Sequence, residues 1–581
     1  YVWFTLLVEE SPFRHRKLVI RIKGLKVWTP EEKSWWRRKP TKTKTLFMRH
    51  LIASLFHSGA GKTTFLVSLA GKCTLPSEGS VTLWNRNVRV CPGAVEIVPQ
   101  HEVFMDGLSV MEHLVFMTEM KLGSCKDLRN QATLNSLVEE FKLEAHKYTP
   151  INALSGGERR LLSLATTLLS DPQILICDEP TTGLDSYNAL LVIGVLKKLS
   201  LTGRVVICSV HQPSCDLFKE FSSILLMAEG RLLFHGTQDE CKDVFESIGL
   251  RCPLNYNPAE FYIRAVSNSN DNVRKLVEIS QNRLEYCDGT SPVRPDPVYS
   301  HNKTIQRNWF KQVYLLLWRL SLTLKRNIKN HLIQLFISVV IAYVGASGTT
   351  QRGVQDIRGF LWLITSEVAF GVSYSALYAF EYEISLFKRE TGIYSCSAYF
   401  VSRFMSFIPR CIVWPVMLVT VATLAVDLPN HILTAAEFMF TLMLSAVPAV
   451  AYGLGMAALF TSTGIMGDVM PCVDLPLFLM SGAFLRISSM PTWIYPVKYI
   501  SHFYYAMDAV SNIYWRQIEF IDCSSNETST CVKDGAAVLL ENGYVNDFIL
   551  QDSLGFVLIT LFWCILGYLG LKREEKKGYA Y

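Results

Sequence analysis

Three short motifs in the first third of the chain bring together glycine, lysine, hydroxyl and carboxylate residues. The first is a glycine-rich loop that ends in Lys62 and Thr63. In such a loop, backbone N–H groups and a helix N-terminus converge on phosphate oxygens, the lysine reaches the outer phosphates, and the hydroxyl binds Mg²⁺. We therefore predict a phosphate site in which Thr63 is a magnesium ligand. Its members are Ser58, Gly59, Ala60, Gly61, Lys62, Thr63 and Thr64.

The other two motifs supply a glycine turn and a carboxylate pair. The turn is Leu154-Ser155-Gly156-Gly157-Glu158, and the pair, Asp178 and Glu179, ends the apolar run Ile174 to Cys177. Asp178 is placed to orient Mg²⁺ through water, and Glu179 to polarise the water that attacks phosphate. The three motifs in this order are the signature of an ATP-binding cassette. ATP and Mg²⁺ are the predicted cofactors.

The phosphate loop departs from its pattern at one position. The pattern requires glycine at position 56, where this chain has Phe56. A side chain there opposes the backbone geometry that glycine permits, which would weaken nucleotide binding and impair hydrolysis at this loop. A second explanation stays open, in which Leu46 to His57 come from a wrongly translated exon boundary.

Short strands and helices are predicted around these motifs. The loop lies between an apolar run that ends at Phe56 and a helix from Thr63 to Ala70, and a helix from Arg159 follows the glycine turn. Ile174 to Cys177 and Val205 to Ser209 are continuous apolar runs typical of buried parallel strands. The fold class is therefore an α/β nucleotide-binding cassette.

Two polar residues follow predicted strands of this cassette. His211 comes after Val205 to Ser209, and Gln100 comes after Ile97 to Pro99. We predict that His211 contacts the γ-phosphate and that Gln100 senses it, with Gln100 as a further magnesium ligand. In isolation each would be an ordinary polar surface residue, so the prediction depends on the motif order.

The second half of the chain is apolar. With 581 residues, 50% hydrophobic residues and a mean hydropathy of +0.21, the chain is too long for one domain and too apolar to be wholly soluble. Segments that approach the length of a bilayer crossing predict an all-α transmembrane domain of six helices. They are His331 to Ala346, Gly359 to Phe380, Phe400 to Val426, Leu433 to Thr461, Gly467 to Leu485, and Leu554 to Leu571.

These patterns divide the chain into three predicted regions. Residues 1–265 form the cassette, 266–330 a linker with a connecting helix, and 331–581 the transmembrane domain. The connecting helix, Asn308 to Asn327, is basic and amphipathic, which favours a position along lipid headgroups; an ordinary bundle helix is the alternative. Within the membrane domain, 491–515 is predicted to be re-entrant and 516–552 to be an extracytosolic loop.

Basic residues indicate the orientation. Lys388-Arg389 and the run Lys572 to Lys577 flank predicted spans, so the positive-inside tendency places the cassette and both termini in the cytosol of a multi-pass membrane protein. The net charge of +6 is small for this length, and Trp36 to Lys39 is not part of a recognisable nucleic-acid fold. We predict membrane lipid as a partner and no nucleic acid.

The polar loop between the last spans carries two candidate modifications. Cys523 and Cys531 flank Asn526, which begins an Asn-Glu-Thr glycosylation sequon. A disulfide between these cysteines on an oxidising face is one interpretation, and two unpaired thiols are the other.

Charged residues inside the predicted spans favour a functional interpretation because charges in lipid are costly. Glu367, Arg403, Arg410 and Asp474 are predicted to form a buried polar network that couples the helices. Direct recognition of substrate by Glu367 is the alternative. Phe370, Tyr374 and Phe478 are candidates to line a cavity between subunits, although such residues more often only pack or face lipid.

Further sequence segments, spread over nearly the whole chain, add to these motifs. Among them are Asn257 to Tyr262, Thr350 to Asp356, Tyr394 to Tyr399, and Lys533 to Ala536. In these the chain resembles half-size ATP-binding cassette transporters of the G subfamily. Within that subfamily it is similar to the White, Scarlet and Brown eye-pigment precursor transporters of insects, Brown most of all. The resemblance does not include Thr29 to His57, where the family has a longer strand-turn-strand passage.

The resemblance implies an assembly, because this family binds ATP between the phosphate loop of one cassette and the Ser-Gly-Gly turn of another. One chain with one cassette then requires a second half-transporter, and the Brown likeness implies a White-like subunit. The family's nucleotide roles fall on the residues already named for ATP and on Ser155, Gly156, Gly157, Glu158 and Asp185.

The resemblance also implies a small-molecule substrate such as a pteridine, guanine or tryptophan-derived pigment precursor. The compartment it implies is a pigment granule or intracellular vesicle, with the plasma membrane as an alternative. Two other functions stay open: a sterol or lipid exporter, and a non-hydrolysing partner subunit with a degenerate phosphate loop.

Overall fold

The computed structural model describes residues 20–27, 51–56, 62–72, 77–83, 86–87, 93–228, 231–285, 307–326, 351–425, 428–460, 463–482, 484–522, 532–544 and 548–577. The chain divides into two compact units. The first comprises Tyr1–Arg307 with Lys577–Tyr581, and the second comprises Asn308–Lys576. The phosphate-loop residues 57–61, the first predicted span and the loop with Cys523, Asn526 and Cys531 lie outside the described residues.

The first unit contains two sheets. A six-stranded sheet has the order β5-β6-β7-β2-β8-β9, in which all neighbours are parallel except β8 and β9. A three-stranded antiparallel sheet has the order β1-β3-β4. The strands are β1 Ile20–Val27, β2 Leu51–Phe56, β3 Ser77–Leu83, β4 Arg86–Asn87, β5 Val95–Val98, β6 Ile174–Cys177, β7 Val205–Val210, β8 Ser223–Ala228 and β9 Arg231–Gly236.

Helices connect and flank these strands. They are α1 Lys62–Leu69, α2 Val110–Lys121, α3 Leu128–Glu140, α4 Gly156–Leu168, α5 Ser186–Leu201, α6 Cys215–Lys219, α7 Gln238–Ser247, α8 Pro258–Ser267 and α9 Asn270–Glu285. Because strands β6 and β7 are buried along their whole length, their sequences are apolar except for Ser209, without the alternation of a half-exposed sheet. The prediction of an α/β cassette is thus confirmed.

Strand register decides which polar residues meet at the sheet edge. Cys177 pairs with Cys208, so the next residues, Asp178 just beyond β6 and Ser209 within β7, lie side by side. Strand β2 is the other neighbour of β7 and ends at Phe56, whose backbone pairs with Met227. In open α/β sheets, ligands bind beyond the carboxyl ends of the strands. The candidate site lies at that edge.

The second unit is helical. Its helices are α10 Trp309–Arg326, α11 Gln351–Arg389, α12 Cys396–Ser406, α13 Ile408–Ala425, α14 His431–Leu459, α15 Thr463–Leu479, α16 His502–Trp515, α17 Gly535–Asn542 and α18 Phe548–Lys577. Four stretches among the described residues are long and apolar enough to cross a membrane: Gly353–Arg389, Cys396–Thr423, Ile432–Leu459 and Ile549–Lys576. A shorter apolar helix covers Val469–Leu479. The prediction of a helical membrane domain is confirmed.

The predicted span from Phe400 to Val426 is divided into two helices. Helix α12 ends at Ser406 and α13 begins at Ile408. Pro409 explains the break, because proline has no N–H to continue the hydrogen-bond ladder of the preceding helix.

Helices α11 and α14 approach each other closely at Gly453. A Cβ atom on Gly453 would lie 2.2 Å from the carbonyl oxygen of Ser373, a distance that no side chain tolerates. Small residues permit such close backbone contact between membrane helices, where apolar side chains gain nothing by leaving lipid. Glycine at this position therefore sets the spacing of α11 and α14.

The connecting helix α10 buries one face within the second unit. Val313, Leu316 and Leu320 are buried, whereas Phe310 and Tyr314 are exposed. On the buried face, Arg319 forms an ion pair with Glu390 at 2.7 Å, and the Tyr394 hydroxyl donates to the same carboxylate at 2.6 Å. This pair joins α10 to the segment that follows α11.

Candidate functional site

The Lys62 ammonium forms an ion pair with the Glu179 carboxylate. Gln100 Nε2 donates to the other carboxylate oxygen at 2.8 Å, and the Thr182 hydroxyl donates to that oxygen at 3.0 Å. Lys62 is the first residue of α1, Gln100 follows β5, and Glu179 follows β6. Three separate elements thus deliver the predicted phosphate-binding, sensing and water-polarising side chains to one point.

A second contact set surrounds Asp178, which is only 3% exposed. Thr63 Oγ1 donates to Asp178 Oδ2 at 2.9 Å, and the Ser209 hydroxyl donates to Oδ1. The Ser209 oxygen also accepts the backbone N–H of Glu179 at 2.7 Å. Ser209 therefore holds both neighbouring acidic residues from β7.

The backbone of Glu179 is in the left-handed region, with φ of 44°. For a residue other than glycine this conformation costs about 1–3 kcal/mol and persists only where surrounding contacts hold it. The hydrogen bond from its N–H to Ser209 and the contacts to its carboxylate supply that restraint. In this conformation the Glu179 carboxylate contacts Lys62.

Glu179 is held in its ionised form. Burial alone raises the pKa of this carboxyl, but the hydrogen bond and charge of Lys62 outweigh it, with smaller contributions from Thr182 and His211. The net pKa lies below the ordinary value of glutamate. His211 is exposed at the edge of the site and close enough for its charge to act on Glu179.

These residues fit a magnesium nucleotide. The Thr63 hydroxyl and the Asp178 carboxylate offer adjacent oxygen ligands, which Mg²⁺ prefers, and the Lys62 ammonium stands at the N-terminus of α1, where phosphate oxygens are stabilised. Thr64 lies in the first turn of α1, whereas Ser58, Gly59, Ala60 and Gly61 are outside the described residues. Only the backbone of Phe56 is described, so the effect of its side chain on the loop stays a prediction.

The Ser-Gly-Gly turn caps helix α4. The Ser155 hydroxyl accepts the Glu158 N–H at 3.4 Å, while the Glu158 carboxylate accepts the Ser155 N–H at 2.9 Å and contacts His146 Nε2 at 3.2 Å. Ser155 and Gly156 are exposed, whereas Gly157 is buried against Asn188. The positive end of α4 therefore faces outward, with Glu158 occupied in the cap.

Asp185 is also a capping residue. It begins α5 by accepting the Asn188 backbone N–H at 3.4 Å, and Asn188 Nδ2 donates to it at 2.5 Å. Across the described ranges, no hydrogen bond or ion pair joins Asp185 or the Ser155 turn to Lys62, Asp178 or Glu179. The structure thus brings together Lys62, Thr63, Gln100, Asp178 and Glu179, called here the Lys62 group, and keeps the turn separate from them.

Arg160 is a contributor that no motif indicated. This buried arginine donates from α4 to the carbonyl oxygens of Pro99 and Gln100, both at 2.7 Å, and pairs with Glu102 at 2.8 Å. Arg160 thus connects two parts of the cassette. One is the loop that contains Gln100, and the other is helix α4, which begins at the Ser-Gly-Gly turn. A lone arginine in a helix gave no signal, because its partners, two backbone carbonyls and the Glu102 carboxylate, lie about sixty positions away in the sequence.

In the membrane unit, the predicted charged residues have partners that the sequence did not indicate. Arg403 pairs with Glu383 at 3.3 Å. Arg410 donates to the Gly371 carbonyl at 3.3 Å and lies 4.6 Å from the Trp414 ring centroid. Asp474 accepts the Tyr452 hydroxyl. Glu367 lies on α11, and its place in a shared network with the other three stays a prediction.

Family models match both halves of the chain. A model described as ABC transporter matches residues 46–182, and two described as ABC-2 type transporter match residues 311–515 and 211–284.

Whole-length relatives also match. Protein white of Drosophila melanogaster is 30% identical over 563 residues, which cover 91% of this chain and 82% of that protein. Protein brown of the same species is 29% identical over 632 residues, covering 91% of each chain. The broad substrate specificity ATP-binding cassette transporter ABCG2 of Mus musculus is 28% identical over 548 residues, covering 85% and 83%.

Proposed function

Because the chain belongs to the ATP-binding cassette transporter family of the proteins white, brown and scarlet, in which ATP hydrolysis is coupled to transport, we propose that it is a half-transporter that works in a dimer. Its cargo in this proposal is a small planar heterocycle, a pigment precursor of the pteridine, guanine or tryptophan-derived type. The cassette and both termini face the cytosol, and the dimer resides in a pigment granule or vesicle membrane or in the plasma membrane.

The main observation that supports a dimer is that the two halves of an ATP site are separate from each other within one chain. The Lys62 group is assembled at the sheet edge, whereas the exposed Ser155 turn directs the positive end of α4 outward. Each motif occurs once in the sequence. A nucleotide bound at Lys62 therefore obtains a Ser-Gly-Gly turn from a second cassette, and a White-like half-transporter is the partner that fits.

The residues of this chain have distinct roles in that arrangement. Thr63 and Asp178 hold Mg²⁺, with Gln100 beside them, and Lys62 neutralises charge on the outer phosphates. Glu179 orients the attacking water and accepts its proton, and His211 contacts the γ-phosphate at the edge of the site. Bound Mg²⁺·ATP supplies the phosphoanhydride bond whose cleavage drives transport.

Aromatic residues of the membrane unit support a planar cargo. The Phe370 ring lies 6.1 Å from Tyr374 and 5.6 Å from Phe478, between centroids, so α11 and α15 present a shared aromatic surface. Aromatic rings pair with other planar π systems in offset-stacked or edge-to-face arrangements, with ring centroids about 4.5–7 Å apart. Vesicle uptake is the direct test of the cargo.

We expect inside-out vesicles that contain this chain and a co-expressed White-like partner to accumulate a radiolabelled pterin or guanine in the presence of ATP. Vesicles with Glu179→Gln in this chain, which blocks water activation, serve as the matched control and should accumulate much less. ATP-dependent sterol movement without any pterin, guanine or tryptophan-metabolite uptake would reject the heterocyclic cargo and favour a lipid exporter.

Phe56 favours a second function, a subunit whose own phosphate loop does not hydrolyse ATP. A pair of variants, tested in the heterodimer, distinguishes the two functions. If this chain hydrolyses ATP, we expect Lys62→Ala and Ser155→Arg each to lower ATPase activity by about tenfold or more, because each removes groups that stabilise phosphate charge. Steady-state phosphate release measures both.

Ser247→Arg is the control for the added arginine, since Ser247 is exposed at the end of α7. Near-normal ATPase activity with Lys62→Ala, together with loss in Ser155→Arg, would reject hydrolysis at this chain's phosphate loop. It would leave the chain as a partner that completes the other subunit's site.

A further inference from the structure

Two buried carboxylates lie on neighbouring helices of the membrane unit, Asp508 on α16 and Asp552 on α18. The helices are in direct contact, since a Cβ atom on Gly555 would lie 2.4 Å from the Tyr505 ring and the rings of Tyr505 and Phe556 are 6.2 Å apart. Asp508 follows Tyr505 by about one helical turn, and Asp552 precedes Gly555 by about one turn. The two carboxylates are within electrostatic range of each other. Asp508 is fully buried and Asp552 is 2% exposed.

The polar atoms at this contact are unequally satisfied. Asp508 accepts the Tyr504 hydroxyl at 3.1 Å and Asn512 Nδ2 at 2.6 Å. By contrast, within the part of the chain that the structure describes, no donor reaches either carboxylate oxygen of Asp552 or the Oδ1 atom of Asn512. Asn512 lies one turn beyond Asp508 on the same face of α16. Three buried acceptor oxygens, two on Asp552 and one on Asn512, thus lie near the Asp508 carboxylate.

A basic side chain in the same region, Lys498, contacts tyrosines and not these carboxylates. Lys498 is buried, donates to the Tyr495 hydroxyl at 2.7 Å, and lies 4.0 to 5.0 Å from the ring centroids of Tyr495, Tyr499 and Tyr504. No described ion pair includes Asp552. Buried carboxylates without donors are strongly unfavourable, and two of them near each other repel. A positive charge between α16 and α18 removes both penalties.

We propose that Asp508, Asp552 and Asn512 form a binding site for a calcium ion between α16 and α18. Carboxylate and amide oxygens are hard ligands, which excludes soft metals as preferred occupants. Two carboxylates match a divalent charge. Mg²⁺ dehydrates reluctantly and keeps several waters, whereas Ca²⁺ accepts irregular sets of protein oxygens, so a buried site of this kind favours Ca²⁺. Bound calcium ties α18 to α16.

The test is the calcium dependence of thermal unfolding for the full-length chain purified in detergent. After EGTA treatment, millimolar CaCl₂ is expected to raise the unfolding midpoint by about 3 °C, and MgCl₂ or NaCl at equal ionic strength by much less. Asp552→Asn should abolish the calcium shift, and Glu519→Gln, which changes an exposed carboxylate beyond α16, should retain it.

A second readout is luminescence of Tb³⁺, a calcium substitute that Tyr504 and Tyr505 can sensitise at short range. Emission should be displaced by Ca²⁺ and should fall strongly in Asp552→Asn. If Asp552→Asn does not fold, Asn512→Ala replaces it, and we expect a higher calcium requirement.

No calcium-specific shift in the wild-type chain, or an unchanged shift and emission in the variant, would overturn the proposal. A midpoint that changes with pH and not with calcium would also overturn it and would indicate a proton shared by the two carboxylates.

Discussion

Replacement of Glu179 by glutamine is expected to lower ATP turnover of the assembled transporter by about 10²- to 10⁴-fold, the range for loss of a general base. Glutamine keeps the shape of the side chain and an oxygen for Gln100 and Thr182, but it cannot accept the proton of the attacking water. Lys62, Thr63 and Asp178 are unchanged, so nucleotide binding should persist. Phosphate release measures turnover, and a fluorescent ATP analogue measures binding.

Glu220→Gln is the matched control for that change. Glu220 forms an exposed ion pair with Lys197 at 2.9 Å, away from the Lys62 group, and its loss should leave turnover near normal. Undiminished turnover in Glu179→Gln would show that water is activated by another group, or that hydrolysis takes place only at the partner's loop. Loss of nucleotide binding as well would assign Glu179 to assembly of the phosphate site instead of to proton transfer.

Removal of the Arg319 charge is expected to destabilise the membrane unit strongly. Both members of the Arg319–Glu390 pair are at most 2% exposed, so Arg319→Met leaves a buried carboxylate without its cation. Breaking such a pair costs about 3–5 kcal/mol. For a domain of this size that corresponds to a fall of roughly 10 °C in the unfolding midpoint of the detergent-purified protein.

The double variant Arg319→Met with Glu390→Leu should recover most of that loss, because it removes both charges from the apolar interior. Arg486→Met breaks an exposed ion pair with Glu541 and should change the midpoint by little, since exposed pairs contribute about 0–1 kcal/mol. Equal midpoints for the single and double variants would show that packing of the Arg319 stem, and not its charge, holds α10 in place.

The sequence was most informative where local pattern and burial agree. Strand β6 was predicted at its observed bounds because a parallel strand covered on both faces has to be apolar throughout. Helix α4 was predicted from Arg159 and begins three residues earlier, at Gly156, because Ser155 and Glu158 form a capping box at its N-terminus. Backbone preferences of this kind need no tertiary information.

The sequence alone could not predict contacts between residues that are far apart in the chain. Ser209 looked like the last residue of an apolar strand, and only the β6–β7 register brings it against Asp178. Glu383 was not singled out on a long helix, although it is the partner of Arg403. The roles of the nucleotide residues and the domain limits stay predictions, as do the disulfide and the sequon at Asn526, which lie outside the described residues.

Arg160 gives the cassette a mechanical property. Its guanidinium, on α4, donates to the carbonyl oxygens of Pro99 and Gln100, and Gln100 in turn donates to Glu179. A rotation of α4 would therefore displace Gln100 from Glu179. In the proposed dimer, where α4 faces the nucleotide bound to the opposite cassette and Gln100 serves its own, Arg160 would connect the two nucleotide sites through a single side chain.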